Sequence, residues 1–196
     1  MEPCFGRTAA VLAGPGLLDT ESSCRFVDDL LNGFIGVPVV LDALAMDVLL
    51  HKKRFVQPVL LTPHAGEMAR LTGRPKEDVL ADALAVATST AARSDAVIAL
   101  KGATTHVAAP GSLPWRHFAK MPGLATSGSG DVLAGIATGL AARGAPLEQA
   151  AAWAVVVHAL AGKRLSQRMG PLGFLARELL GEIPLVMRAI QSGKGA

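Results

Sequence analysis

Short apolar runs alternate with longer segments of helical periodicity along this chain. Thr8–Ala13, Val37–Asp42, Val59–Thr62 and Ala96–Leu100 are such runs, and they read as buried strands. Thr20–Leu31 reads as a helix, with Asp19 or Thr20 as its cap and Gly33 past its end. His64–Leu71 reads as a short helix with Gly73 beyond it, and Lys76–Arg93 as one long Ala-rich helix introduced by Pro75. His106–Ala109 and Trp115–Ala119 fit a hairpin across Pro110-Gly111. After Ser129 the pattern turns helical. Asp131–Arg143 and Leu147–Leu165 are separated by Gly144 and Pro146, and Leu172–Leu180 and Pro184–Ile190 read as two further short helices. Gly193–Ala196 reads as a frayed tail. Strands alternating with helices predict parallel pairing and a sheet covered on both faces, an α/β fold.

Composition narrows the function classes. The chain has 196 residues, 51% hydrophobic and 18% charged, enough to bury a core as one domain over residues 1–196. Lys plus Arg number 19 against 16 Asp plus Glu, and the small excess is spread along the chain, which argues against a nucleic-acid surface. Cys4 and Cys24 make neither a disulfide framework nor a Cys-x-x-Cys metal site, so they read as reduced thiols. The most apolar stretch, Ala150–Gly162, is too short for a membrane helix and contains His158. Glu2, Pro3 and Pro15 do not fit a signal peptide. The expectation is a soluble cytoplasmic protein with no membrane or nucleic-acid partner and no metal-ligand set.

Ligands of open α/β sheets bind beyond the carboxyl ends of the strands. Those ends carry Gly14-Pro15-Gly16, Asp42, Thr62-Pro63-His64-Ala65-Gly66-Glu67 and Lys101-Gly102-Ala103-Thr104-Thr105. A further loop, Gly123–Asp131, opens a helix. Gly128 and Gly130 there allow a sharp turn and close backbone approach, and the helix start favours an anion such as phosphate. Asp131 in such a site suits proton transfer beside a phosphoryl group. Alternatively, Ser129 or Asp131 simply caps the helix. Lys101-Gly102 could bring a cation and backbone donors to phosphates, or Lys101 could be solvated. His64 is either a site residue or a surface histidine. Asp42 could bind a hydroxyl or a magnesium-bound water, or cap the next helix. His51, His106, His117 and His158 read as structural or solvent-facing, with His158 packed in a helix.

Taken together, these loops resemble the ribokinase-like superfamily, and within it the ADP- or ATP-dependent NAD(P)H-hydrate dehydratase family. The resemblance runs in order through Ala13-Gly14-Pro15-Gly16-Leu17, Leu61-Thr62-Pro63-His64-Ala65-Gly66-Glu67, Leu100–Thr105 and Met121–Gly135, and covers essentially the whole chain. It implies a three-layer sandwich with a mostly parallel sheet. It also implies dehydration of NADHX or NADPHX at the expense of ADP or ATP, with Mg2+ on the phosphates. Gly16 and His64 would border the hydrate. Lys101, Gly102, Ala103, Thr104 and Thr105 would cradle the nucleotide phosphates, with Gly128, Ser129 and Gly130 completing the nucleotide site. Asp131 would meet the reacting hydroxyl as the catalytic residue. Two features depart from the family. Its Asp-Ala-Asp-Ala-Leu-Asn is here Asp42-Ala43-Leu44-Ala45-Met46-Asp47, and its N-terminal strands are missing, which predicts an exposed sheet edge and a homo-oligomer. A small-molecule kinase and an inactive nucleotide-binding homologue are the other readings of the same loops.

Overall fold

A computed structural model describes residues 7–18 and 20–193. Cys4, the Asp19 cap and the tail beyond Gly193 lie outside the described residues. Six strands form one sheet in the order β1 (Val11–Ala13), β2 (Val39–Leu41), β3 (Val59–Leu61), β4 (Val97–Leu100), β5 (Thr104–Ala108) and β6 (Trp115–Phe118). The first four are parallel, whereas β4–β5 and β5–β6 are antiparallel. β1 and β6 are the edges of this sheet.

The central strands explain the layering. β2, β3 and β4 are apolar and buried at every position, as strands covered on both faces must be. Successive side chains point to opposite faces. Val39, Leu41, Val59, Leu61, Ile98 and Leu100 enter one core. Val40, Leu60, Val97 and Ala99 enter the other. The first core is closed by α1 (Thr20–Gly33), a 3-10 helix (Ala43–Leu50), α2 (Ala65–Thr72), α3 (Lys76–Ala81) and α4 (Ala83–Ser94). The second is closed by α5 (Ser129–Ala142), α6 (Leu147–Met169) and α7 (Ala176–Gln191).

Two elements differ from the sequence pattern. The long helix expected over Lys76–Arg93 is broken at Asp82, whose backbone (φ −136°, ψ 52°) leaves the helix while its side chain accepts from the Ala85 amide and caps α4. The two short helices expected around Pro184 are one helix, α7, with Pro184 inside it. The carbonyl that Pro184 cannot bond belongs to Leu180, an exposed residue where water can satisfy it. The stretch after Asp42 is a 3-10 helix, and its Asp47, 1% exposed, meets Arg70 at 2.6 Å. Burial raises the Asp47 carboxyl above its usual range, and the Arg70 and His51 charges offset part of that rise.

Candidate active site

All four strand-end loops and the α5 N-terminus meet at the carboxyl end of the parallel strands. Asp42 is their common point. Its amide donates to Ala13 O at 3.0 Å, and a Cβ on Gly14 (φ +137°) would run into the Asp42 carbonyl, so only glycine lets β1 turn there. The Asp42 carboxylate does not cap the helix that follows. Its Oδ1 instead accepts from Thr62 Oγ1 at 2.7 Å and from Lys101 Nζ at 3.0 Å. Lys101 is held through its backbone as well, since its amide donates to Pro63 O at 2.7 Å. Glu67 Oε2 lies 3.9 Å from the ammonium.

His64 caps α2. Its Nδ1 accepts from the amides of Gly66 and Glu67 at 3.0 and 3.1 Å, while Glu67 Oε2 accepts from the His64 amide at 2.7 Å. This reciprocal capping box fixes the ring. Because Nδ1 accepts two bonds, the neutral ring carries its proton on Nε2, and His64 presents a donor to its surroundings.

The loop before α5 turns through Gly128 in the left-handed region (φ 82°). No side chain caps the helix, so the caps foreseen for Ser129 or Asp131 are not made. The Ser129 amide donates to Thr126 O at 3.2 Å, so the amides of Gly130 and Asp131 are the ones left at the α5 start, with the helix dipole behind them, an arrangement that suits a phosphate. Ser129 is buried and pairs with His158 of α6, Oγ to Nε2 at 2.9 Å. Burial lowers the His158 pKa from 6.5 to about 4; a hydrogen bond with the Ser129 backbone opposes that drop and the Lys101 charge adds to it. His158 therefore stays neutral. Asp131 is exposed in the first turn, and its carboxylate makes no hydrogen bond or ion pair among the described residues.

A cavity of about 590 Å³ joins these parts. His64, Lys101, Gly102, Ala103, Thr105, Ser129 and Gly130 line it, with an apolar wall that includes Met121, Leu124, Leu133 and Val155. Gly16, Thr104, Gly128 and Asp131 do not line it. Gly16 is exposed on the β1 loop, and Asp131 stands beside the cavity's Gly130. The stretch Lys101–Thr105 is not the continuous loop that the sequence suggested. Thr104 and Thr105 belong to β5, paired with Phe118 and His117, because the chain reverses tightly at Gly102-Ala103. Thr105 keeps a place on the cavity and Thr104 faces away from it.

Two residues read as structural from the sequence also line the cavity, His158 and His117. Burial lowers the His117 pKa. Neither has a motif around it; only the packing of α6 and β6 against the loops brings them in. His106, buried on the opposite face of β5, does not reach the cavity.

A mostly parallel sheet with helices on both faces, an antiparallel extension and an anion-ready helix start at the strand ends defines a ribokinase-like protein. A solved ribokinase-like superfamily protein from Enterococcus faecalis matches with a TM-score of 0.80 at 27% identity, covering 92% of this chain and 63% of that one. The family is narrower. A model of the NAD(P)H-hydrate dehydratase family matches residues 3–185, and the chain belongs to that family. An ADP-dependent (S)-NAD(P)H-hydrate dehydratase from Xanthomonas campestris is 42% identical over 184 residues, covering 94% of this chain and 63% of its own length. The Bacillus subtilis protein of the same name is 34% identical over 182 residues, covering 93% and 65%. A crystal structure of ADP/ATP-dependent NAD(P)H-hydrate dehydratase from Bacillus subtilis, co-crystallized with ATP/Mg2+, matches with a TM-score of 0.84 at 33% identity, covering 92% of this chain and 64% of that one. The chain thus spans slightly under two-thirds of these relatives.

Proposed function

We propose that the site dehydrates NADHX or NADPHX to the reduced cofactor, consuming ADP or ATP. The observation that carries this reading is the junction at the α5 N-terminus. There the Lys101 ammonium, the outward amides from Gly130 and the unpaired Asp131 carboxylate come together beside a cavity that His64 also borders. Asp131 accepts the proton of the hydrate hydroxyl as that oxygen attacks the terminal phosphorus, and the bond to the rest of the nucleotide breaks. The ring-nitrogen lone pair then expels phosphate from the hydrate carbon. Loss of a proton from the neighbouring carbon completes the double bond. Lys101, Gly102, Ala103 and the backbone of Gly128 and Gly130 hold the phosphates, Ser129 shapes the site through its bond to His158, Thr105 contributes from the cavity wall, and His64 binds the hydrate through Nε2. Of the other expected contacts, Gly16 reaches the hydrate from the β1 loop, and Thr104 supports the phosphate turn from β5.

Magnesium would be held chiefly by the phosphates. The ion would keep most of its waters and take its remaining ligands from those phosphates, which leaves the Asp131 carboxylate free to accept the proton. It supplies neutralisation of the phosphate charge. No helix among the described residues is long and apolar enough to cross a membrane.

The test is recovery of reduced-nicotinamide absorbance from NADHX with magnesium and either nucleotide. Asp131→Asn should keep nucleotide affinity and lose at least about 100-fold in rate, the usual worth of a positioned base. Nucleotide binding without recovery by the native chain would overturn the reading.

A further inference from the structure

The Asp42 carboxylate is buried, yet it is spent neither on a helix cap nor on a backbone amide. The side chain is 3% exposed and ends on Thr62 Oγ1 and Lys101 Nζ. A buried carboxylate is costly unless its partners are well placed. An apolar pair would serve packing alone at least as well. The location shows what this pair does. A Cβ added to Gly130 would lie 3.1 Å from Lys101 Nζ and 3.8 Å from Asp42 Oδ2, so the ammonium is delivered to the first turn of α5. Lysine has a long flexible stem, and pinning it before a ligand arrives removes an ordering cost from binding. Thr62, just past the end of β3, in turn fixes the carboxylate.

We propose that Asp42 is a positioning residue of the phosphate site: held by Thr62, it aims the Lys101 ammonium at the α5 N-terminus, so the site is assembled before nucleotide binds. The proposal rests on the reading of that helix start as a nucleotide phosphate site. Asp42 touches no substrate. Its effect passes through Lys101, and that route separates it from a residue that merely supports the fold.

Two measurements test it. The first needs no nucleotide: reductive methylation of the intact chain, followed lysine by lysine by peptide mass spectrometry. Asp42→Asn should raise the Lys101 labelling rate about threefold or more while other lysines stay unchanged, since the charge-assisted hydrogen bond at 3.0 Å holds the amine away from the reagent. Thr62→Val, which keeps the charge pair but loosens the carboxylate, should give a smaller rise; it carries the test if Asp42→Asn fails to fold. The second is ADP titration calorimetry in a double-mutant cycle. Asp42→Asn should weaken ADP about tenfold beside native Lys101 and less than about twofold beside Lys101→Met. Unchanged labelling of Lys101, or an equal loss of ADP affinity in both backgrounds, overturns the proposal. Raised labelling with no ADP binding by the native chain would instead overturn the nucleotide reading and leave the positioning role standing.

Discussion

Replacing His158 by glutamine should flatten the pH dependence of stability. His158 is 9% exposed and bonded to Ser129. Its pKa falls from 6.5 unfolded to about 4 folded, because burial penalises the imidazolium and Lys101 repels it. Each tenfold change in proton affinity is worth about 1.4 kcal/mol, so the full span is about 3 kcal/mol. The sign follows from which state takes the proton. Below pH 6.5 the unfolded chain takes up a proton that the folded chain refuses until about pH 4. The stability gained by keeping His158 neutral is therefore whole above 6.5 and drains away as pH falls toward 4. Between about pH 7.5 and pH 5 this group alone removes about 2 kcal/mol. His158→Gln keeps a hydrogen bond to Ser129 and cannot titrate. Urea unfolding of both proteins at these two pH values isolates the term, since every other group is common to both. The native chain should lose about 2 kcal/mol more than the variant on acidification. Equal losses would refute the reasoning, as would a His158 ring proton in NMR that titrates near 6.5.

Gly14→Ala and Gly16→Ala should differ sharply. A methyl on Gly14 meets the Asp42 carbonyl, whereas one on Gly16 (φ +83°) meets nothing within 4 Å. The first should cost more than about 3 kcal/mol, as both strain and overlap apply, and the second about 1 kcal/mol from its backbone conformation alone; similar melting temperatures for the two would contradict this. Glu182 of α7 is 3% exposed, with its two oxygens bonded to Arg164 Nε and Arg168 Nη1 of α6, each at 2.7 Å. The Arg164 hydrogen bond is the main reason why its pKa lies below the usual carboxylate value. Changing both arginines to Met strands a buried charge and should cost about 3–5 kcal/mol, most of it recovered when Glu182→Met is added. A triple variant no more stable than the double in urea would show that the charge is not what the arginines serve.

How much was legible depended on whether the signal was local. The four parallel strands, the helix starting at Thr20 and the α5 opening could be read directly, because apolar runs and turn residues act within a few positions. The break at Asp82 was missed, since an aspartate's choice between a helix interior and a cap turns on one hydrogen bond, here to Ala85. So was the continuity through Pro184, where exposure of Leu180 lets water stand in for the lost bond.

The site divides the same way. Thr-Pro-His-Ala-Gly-Glu, Lys-Gly and Gly-Ser-Gly-Asp announce their chemistry in sequence, because glycine, proline and cap residues dictate their own backbone. Nothing in sequence says that Asp42 ends on Lys101, 59 positions away, or that His158 meets Ser129 across 29. Those pairings exist because parallel strands bring their carboxyl ends to one end of the sheet and because α6 packs against the start of α5. They join residues distant in the chain, and only burial made each partner necessary to the other.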